Sequence, residues 1–493
     1  MNQKTELNIF QRIFTENWNE QFIFDTINSN ILTYKNFFEL VIIIKNNLEK
    51  KNIKDGDYIC CILKNSIELI ALFFASALLK TTLICIDPSR GSDEILKMAK
   101  IQQSKFYFVD EKNQNFGIPE VELFSNIFQE NDNLDIKLSD LKLFDYIDFE
   151  RLFTITFTSG STGMPKGVMH NLKNYLKSSL LFNKRFNFSK KNIFYHNLPL
   201  SYIGGILNLL FLPFFSESKI VLDEQFNISK IATFWENPIR YSVNTFWFTP
   251  TELSLLLKLD RGNSGIEYCK KNNIIGLVGT ASLREEIKTD FENKYPVKLF
   301  ESYCLSETFF VTTNYPQNDL VDHTGPLLDD VQITFSNDNE ILLNTPSMFL
   351  GYVGLSNDEF FDNNGFYLSG DLGKFNNDFL QILGRKKDLI IKGGMNLSPK
   401  RIEDFVIDLK TFDELTILGI EDYYMGEKIV CFYTSEKSHL NDEIKSLNNK
   451  IMQKLGIYFK IDEFIKLNSL PKTPSGKINK PELKQKYKEF KEK

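Results

Sequence analysis

Apolar residues recur along this chain with two spacings, one near 3.6 residues and one near two, and segments of the two kinds alternate. Residues 64–79 predict a helix, and the short apolar run 82–86 predicts a strand that ends at an Asp-Pro pair. The polar, acidic stretch 129–150 predicts a loop. Alternation of this kind over three quarters of the chain is typical of parallel or mixed sheets covered by helices.

The pattern changes between residues 323 and 371. Short strands and turns, at 331–335, 340–343 and 362–365, predict a small β-rich subdomain. Residues 379–388 then predict a strand that runs into a charged turn. We place the main domain boundary at this turn.

The remaining residues predict a compact α+β module, with a helix over 399–409 and strands over 415–420 and 429–434. We therefore expect an α/β multidomain protein. Its large N-terminal domain of mixed sheets covers 1–384, a linker covers 385–388, and a small α+β C-terminal domain covers 389–493. A chain of 493 residues has room for such units.

Composition and charge exclude several classes of protein. Hydrophobic residues make up 42% and charged residues 25% of the chain, which is ordinary for a soluble globular protein. A formal charge of −6 provides no basic field for nucleic acid. The longest apolar stretch, 69–79, is too short to span a bilayer, and the first ten residues lack the apolar core of a signal peptide.

The cysteines and histidines point to a reduced compartment and away from zinc. None of the six cysteines forms a C-x-x-C pair, and the four histidines have no metal-ligand spacing relative to them. We expect a soluble, cytoplasmic protein without a membrane span.

A glycine- and hydroxyl-rich run with one lysine follows the apolar stretch 152–157. Its sequence is TSGSTGMPKG, and its candidate phosphate-binding residues are Thr158, Ser159, Gly160, Ser161, Thr162, Gly163 and Lys166. Glycines let backbone N–H groups approach a ligand closely, hydroxyls add donors, and the lysine supplies positive charge. Residues 168–182 then have helical spacing, which predicts a strand, a loop and a helix.

The Walker A motif is the main alternative for this loop. It requires glycine immediately before the lysine and serine or threonine immediately after it. Here those positions hold Pro165 and Gly167, so the template fails on both sides of Lys166.

Further motifs follow one another in a recognisable order. They read LTY at 32–34, ESYCLSE at 301–307, LSGD at 368–371, GRKKD at 384–388, GGMNLSP at 393–399 and PKTPSGKI at 471–478. Together with the glycine-rich loop, this series resembles the adenylate-forming superfamily, which contains acyl-CoA synthetases, peptide-synthetase adenylation domains and beetle luciferases. The resemblance extends from residue 32 to residue 478.

The resemblance implies that ATP donates an adenylyl group to a carboxylate. The loop would wrap the β- and γ-phosphates, and Glu307, with Thr162 nearby, would hold Mg²⁺. Tyr303 would stack on adenine, and Ser306 would hydrogen-bond the α-phosphate. Positive charge and a metal suit a reaction in which two anions meet and pyrophosphate leaves.

The same resemblance assigns roles to residues near the C-terminus. Asp371 would accept both ribose hydroxyls, and Arg385 would meet the ribose from the hinge side. Lys477 would bridge the attacking carboxylate and the α-phosphoryl oxygens as the catalytic lysine. Lys387 corresponds to the hinge about which the small, mobile domain rotates.

The acceptor and the acid depend on two further features. Gly393 and Gly394 would face the site after rotation and let the pantetheine arm of CoA pass. Tyr202 stands where related ligases commonly carry a histidine that gates the acyl pocket. No aspartate lies near Tyr202 to pair with a substrate ammonium, so a plain carboxylic acid is favoured over an α-amino acid.

We therefore predict an ATP-dependent carboxylic acid:CoA ligase that uses ATP, Mg²⁺ and CoA. One alternative passes the acyl group to a phosphopantetheinyl carrier protein or to an amine. A second alternative, a non-enzymatic binding module, is disfavoured because Lys166, Glu307, Asp371, Arg385 and Lys477 are all present. The sequence identifies neither the acid nor the oligomeric state.

Overall fold

The computed structural model describes residues 3–110, 116–118, 121–128, 136–158, 165–280, 283–317, 323–376, 379–393, 395–436, 441–473 and 477–491. Contacts divide the chain into two compact units. The first comprises Met1–Gln332 with Asn344–Phe360, and the second comprises Ile333–Leu343 with Phe361–Lys493. The predicted small sheet thus groups with the C-terminal residues, while the hinge at 385–388 stays a prediction.

The α-helices are α1 (Gln3–Asn17), α2 (Tyr34–Lys50), α3 (Ile67–Leu79), α4 (Ser92–Ala99), α5 (Leu172–Phe186), α6 (Leu212–Phe215), α7 (Glu236–Arg240), α8 (Pro250–Leu259), α9 (Ser264–Lys271), α10 (Glu285–Lys294), α11 (Pro399–Asp408), α12 (Asn441–Leu455) and α13 (Lys480–Lys491). A π-helix covers Gly204–Phe211. Within the part of the chain that the structure covers, no helix has the length and apolar character that crossing a membrane requires.

The strands are β1 (Gln21–Asp25), β2 (Asn30–Thr33), β3 (Tyr58–Ile62), β4 (Thr82–Ile86), β5 (Phe106–Val109), β6 (Glu122–Leu123), β7 (Leu152–Thr158), β8 (Lys166–Asn171), β9 (Ile193–His196), β10 (Lys219–Leu222), β11 (Thr245–Phe248), β12 (Ile275–Val278), β13 (Lys298–Leu305), β14 (Phe309–Thr313), β15 (Gln332–Phe335), β16 (Glu340–Asn344), β17 (Gly351–Tyr352), β18 (Tyr367–Asn376), β19 (Phe379–Arg385), β20 (Ile390–Lys392), β21 (Met395–Leu397), β22 (Glu414–Asp422), β23 (Gly426–Thr434) and β24 (Glu463–Lys466).

Two sheets form the framework of the first unit. One has the strand order β14-β13-β12-β11-β9-β10-β1-β2, and the other has the order β17-β8-β7-β4-β3-β5-β6. Most neighbouring strands run parallel, while β7 and β8 form an antiparallel pair. This mixed arrangement, with helices along the chain between the strands, confirms the predicted α/β class.

Two sheets also form the framework of the second unit. The order β15-β16-β18-β19 makes the predicted small β-rich part, and the order β21-β20-β23-β22, with β24 beside β23, makes the C-terminal α+β part. Strands β22 and β23 cover the predicted segments 415–420 and 429–434, and α11 begins at the predicted residue, Pro399.

Helix α3 shows how local chemistry sets an element boundary. The predicted helix over 64–79 begins three residues later because Ser66 is its N-cap, with the Ser66 hydroxyl accepting a hydrogen bond from the Leu69 N–H at 3.1 Å. The helix is buried almost all round, which fits its apolar composition.

An aromatic cluster packs the N-terminal helices together. Phe10 and Phe14 of α1 contact Phe144 at ring-centroid distances of 5.7 and 5.0 Å, and Phe74 of α3 contacts Phe214 of α6 at 4.9 Å. Tilted and edge-to-face pairs of this kind add about 0.5–1.5 kcal/mol each beyond the burial of apolar area. Phe144 lies in a 3₁₀ segment, Leu138–Tyr146, so the prediction of an irregular loop over 129–150 is wrong for this part.

The predicted helix over 168–182 is wrong in its first part. Residues up to Asn171 form β8, which pairs with β7 on one side and with β17 on the other. Helix α5 begins only at Leu172, because the extended Asn171 is its N-cap and its side-chain oxygen accepts a hydrogen bond from the Asn174 N–H at 3.0 Å.

Candidate active site

Strands β7 and β8 bring the two ends of the predicted phosphate loop together. Thr158 is the last residue of β7, Lys166 is the first residue of β8, and the two are register partners. The loop residues between them that we expect to bind phosphate lie outside the described residues: Ser159, Gly160, Ser161, Thr162 and Gly163.

The ammonium group of Lys166 lies over two aromatic rings. Its Nζ is 4.9 Å from the ring centroid of Tyr352 and 4.5 Å from that of Phe360. The two rings contact each other at 4.7 Å with an interplanar angle of 69°. Such cation–π contacts hold a positive charge in place without neutralising it.

Glu307 lies in the turn between β13 and β14 with only 8% of its surface exposed. Its Oε1 accepts a hydrogen bond from the Tyr352 hydroxyl at 2.6 Å, and its carbonyl accepts one from the Phe349 N–H at 2.8 Å. A carboxylate this buried needs such partners. Tyr352 therefore connects the predicted metal ligand with the lysine of the phosphate loop.

His170 forms a hydrogen bond to the backbone of Ser306, the residue before Glu307. Its Nε2–H donates to the Ser306 carbonyl at 2.7 Å, while its Nδ1 accepts from the Asn174 side-chain amide at 3.0 Å. These partners require the neutral imidazole with its proton on Nε2. Burial lowers the pKa of His170 to about 3, although the bond to Ser306 opposes this shift.

Tyr303 and Tyr202 are two further predicted residues of the first unit. Tyr303 is a buried residue of β13 and pairs with Thr312 of β14. Tyr202 precedes the π-helix, and its carbonyl accepts hydrogen bonds from the N–H groups of Gly205 and Ile206 at 2.9 and 3.1 Å. The structure does not test Tyr202 as a gate or Tyr303 as an adenine platform, and both stay predictions.

In the second unit, Asp371 and Arg385 are brought together. They are register partners on β18 and β19, and Arg385 Nε donates to Asp371 Oδ1 at 2.9 Å. Asp371 is buried and Arg385 is exposed. The pair that the resemblance assigns to the ribose thus exists as an ion pair, with the carboxylate fixed by its partner.

The predicted hinge and acceptor residues follow in the same unit. Lys387 is the exposed middle residue of a 3₁₀ turn, Lys386–Asp388. Gly393 has φ +58, its N–H donates to the Met425 carbonyl at 2.8 Å, and an added Cβ would lie 3.0 Å from the Met425 Cε. Glycine suits this left-handed, closely approached position. Gly394 lies outside the described residues.

Lys477 is exposed and lies in the second unit, next to the antiparallel bridge between Lys472 and Ile478. Its N–H donates to the Thr473 hydroxyl at 3.2 Å, and the Thr473 N–H donates to the Lys477 carbonyl at 2.7 Å. The backbone around Lys477 is thus fixed by Thr473.

A magnesium ion fits the carboxylate of Glu307. Across the described residues, no group of three or more His, Cys, Asp and Glu side chains is arranged to hold a metal ion. In enzymes that use ATP, Mg²⁺ is nevertheless commonly bound by only one or two carboxylates, and oxygens of the substrate phosphates and of water complete its coordination shell. One buried carboxylate, oriented by the Tyr352 hydroxyl, matches that requirement.

Sequence reasoning missed three residues of this site: His170, Tyr352 and Phe360. The only signal for His170 was a polar residue within an otherwise apolar segment, where burial demands hydrogen-bond partners. Tyr352 lies 45 residues from Glu307 in the chain. A contact at that separation has no periodic signature.

Comparison with known proteins gives relatives similar in sequence and solved structures similar in fold. The chain is 27% identical over 380 residues to the 2-succinylbenzoate–CoA ligase of Listeria monocytogenes, covering 74% of this chain and 78% of that protein. It is also 27% identical over 364 residues to the malonate–CoA ligase of Arabidopsis thaliana, covering 67% and 60% of the two chains.

The fold is that of solved structures of such enzymes. ATP-bound MatB from Rhodopseudomonas palustris matches with a TM-score of 0.84 at 20% identity, over 98% of this chain and 99% of that one. MenE from Bacillus subtilis, in complex with ATP and magnesium, matches with a TM-score of 0.83 at 22% identity, over 97% and 99%. Residues 15–353 match the family described as AMP-binding enzyme, which confirms the resemblance drawn from the motifs: this chain belongs to the AMP-binding enzyme family.

Proposed function

We propose that this protein is an ATP-dependent carboxylic acid:CoA ligase. In the first half-reaction, a carboxylate oxygen attacks the α-phosphorus of ATP and pyrophosphate leaves, which gives an acyl-adenylate. In the second, the CoA thiol attacks the acyl carbon and AMP leaves. The observation that carries the proposal is the Tyr352 bridge between Lys166 and Glu307, the two residues to which we assign phosphate binding and metal binding.

The site residues have the following proposed roles. Glu307 and Thr162 hold Mg²⁺ on the phosphates, and Lys477 bridges the attacking carboxylate and the α-phosphoryl oxygens. An ammonium with an unperturbed pKa of about 10.4 is charged at neutral pH and suits this electrostatic task. Rotation about Lys387 would then present Gly393 and Gly394 to the pantetheine arm of CoA.

The names of the relatives guide the choice of acids. 2-Succinylbenzoate, malonate and sulfoacetate each carry a second acidic group besides the carboxylate that is activated. We propose these three acids as the first members of a substrate panel. We further propose a cytoplasmic location, because all six cysteines are free thiols and reduced thiols are typical of the cytoplasm.

The first experiment measures acid-dependent exchange of radiolabelled pyrophosphate into ATP across that panel. Products formed with CoA, and separately with phosphopantetheinyl carrier proteins or amines, would be identified by mass spectrometry. We expect exchange with at least one acid and an acyl-CoA product. If exchange occurs and no acid tested gives a thioester with CoA, the carrier-protein or amine alternative replaces the ligase.

The first prediction concerns Lys477→Ala. We expect acid-dependent exchange to fall by about 100-fold or more, because a positioned charge that stabilises the transition state is lost. Lys472→Ala is the matched control, since this lysine lies in the same segment and forms a surface ion pair with Glu414. Exchange at the wild-type rate in Lys477→Ala would remove Lys477 from the mechanism.

A further inference from the structure

Tyr352 is fixed to the strand that begins at Lys166. As part of β17 it pairs with β8, where Tyr352 is the register partner of Val168. Backbone hydrogen bonds on both sides of Tyr352 hold this pairing, from the Val353 N–H to the Gly167 carbonyl at 2.9 Å and from the Leu350 N–H to the Met169 carbonyl at 2.8 Å. The position of Tyr352 relative to Lys166 is therefore set by the sheet and not by a mobile loop.

The Tyr352 side chain contacts two different partners, one through its ring and one through its hydroxyl. Its ring face lies 4.9 Å from the Lys166 ammonium, and its hydroxyl donates to the Glu307 carboxylate at 2.6 Å. Tyr352 is 4% exposed and Glu307 is also buried, so their hydrogen bond is shielded from water, while the half-buried Lys166 leaves the cation–π contact partly shielded. Phe360 contacts the same ammonium at 4.5 Å and has no hydroxyl to give to Glu307.

We propose that Tyr352 is a positioning residue that sets the metal ligand and the phosphate-loop lysine relative to each other. Its hydroxyl holds the Glu307 carboxylate in one orientation, and its ring, together with that of Phe360, holds the Lys166 ammonium where phosphate is bound. This inference rests on the proposed function, because it assumes that Glu307 binds the metal of Mg·ATP.

The loss of such positioning is expected to change binding affinities by measurable amounts. A hydrogen bond that orients a metal ligand typically changes metal affinity 10- to 100-fold when it is removed. A partly shielded cation–π contact is worth about 0.5–2 kcal/mol, which corresponds to a two- to thirtyfold change in binding. The hydroxyl and the ring therefore have separable consequences, one for the metal and one for the nucleotide.

The test compares Tyr352→Phe with Phe360→Leu in the full-length protein. Tyr352→Phe keeps the ring under Lys166 and loses only the hydroxyl that faces Glu307. Phe360→Leu keeps Tyr352 intact and removes one of the two rings that face the ammonium. Binding of ATP without metal is measured by calorimetry, and binding of Mn²⁺ to the ATP complex is measured by the relaxation of water protons.

We expect Tyr352→Phe to weaken Mn²⁺ binding at least tenfold while metal-free ATP affinity stays within twofold. Phe360→Leu should do the reverse, weakening metal-free ATP binding about threefold or more and leaving Mn²⁺ affinity unchanged. Tyr268→Phe is the matched control, because it also removes a hydroxyl that donates at 2.7 Å, in this case to the distant Val243 carbonyl. It should match the wild type in both measurements.

Several results would overturn the inference. One is an unchanged affinity of Tyr352→Phe for Mn²⁺, and another is an equal loss of Mn²⁺ affinity and ATP affinity in either variant. A third is tighter ATP binding by Phe360→Leu, which would mean that the rings keep the lysine away from the nucleotide. A failure of the proposed function would give a different result from a failure of this inference. In that case the wild type shows no acid-dependent pyrophosphate exchange, while the binding measurements still decide the role of Tyr352.

Discussion

Two histidines, His170 and His196, are buried in the first unit and kept neutral. His196 contacts the Gly205 carbonyl through its Nε2 at 3.1 Å, and burial lowers its pKa to about 4. His170 has its pKa lowered further, to about 3. Both would be charged in the unfolded chain below about pH 6.5, so the native state has to exclude protons that the unfolded state binds.

We predict that replacing His170 changes the pH dependence of stability. Between about pH 6.5 and 3 the unfolded chain binds a proton at this position and the folded chain does not. The free energy of unfolding therefore falls as the pH is lowered, by up to about 1.4 kcal/mol per pH unit for this residue. In His170→Gln that contribution is absent, and the decline should be shallower.

Urea unfolding of the wild type and of His170→Gln between pH 7.5 and 4.5 measures this difference. Comparison of slopes separates proton linkage from any constant loss of packing in the variant. Parallel declines in the two proteins would show that His170 already titrates normally in the fold.

The sequence motifs contain the residues for which we predict chemical roles, but they do not indicate which residues contact and orient them. Glu307 and Lys166 could be predicted because they lie in short runs whose letters match a family pattern. Tyr352 and His170 act across 45 and 136 residues of chain, respectively. Such contacts depend on strand pairing, and the spacing of residues along the sequence does not predict them.

Secondary-structure elements were predicted best where burial is complete. Strand β4 has the predicted bounds, because an apolar run of five residues that ends at an Asp-Pro pair has few alternatives. Strand β8 was missed because it is paired on both sides and three of its last four residues are buried, so no period of two is visible. The sequence signal for the start of α5 was Asn171, a residue type that commonly serves as a helix N-cap.

A further prediction concerns the N-cap of α5. Asn171→Ala removes the side-chain oxygen that accepts from the Asn174 N–H, and it should lower the free energy of unfolding by about 1 kcal/mol. Asn171→Ser restores a capping oxygen and should recover most of the loss. Denaturant titration measures both variants, and equal stability of the alanine and serine variants would show that the cap contributes little.

On the scale of the whole molecule, the chain passes between the two units more than once. Ile333–Leu343 belongs to the second unit, Asn344–Phe360 returns to the first, and Phe361 begins the remainder of the second. The boundary predicted at 385–388 came from a strand that runs into a charged turn, and it stays a prediction. Such a local signal carries no information about which strands pair with which.

The segment Asn344–Phe360 contains both Tyr352 and Phe360, the residues that contact Lys166. It reaches the first unit between β16 and β18, which are hydrogen-bonded neighbours in the second. The chain therefore leaves the small sheet between two neighbouring strands and places both rings beside Lys166 before it returns.

We predict that two truncated proteins will behave differently. A fragment ending at residue 360 keeps β15 and β16 but loses β18, so the backbone of β16 and its buried residues Ile341 and Leu343 become exposed. Unpaired apolar edges are templates for aggregation. A fragment ending at residue 388 keeps the whole order β15-β16-β18-β19 and should remain monodisperse, as light scattering would show. A monodisperse 1–360 fragment with an aggregated 1–388 fragment would contradict this reasoning.

The interleaved chain also restricts where such a protein could be recombined with a relative. A crossover at either edge of Asn344–Phe360 would separate β16 from its neighbour β18, and a crossover before Asn344 would also separate the two rings from Lys166. Chimeras that swap acid specificity or acceptor preference should therefore be joined after β19, where a single peptide connection is cut and both the aromatic contacts and the small sheet come from one parent.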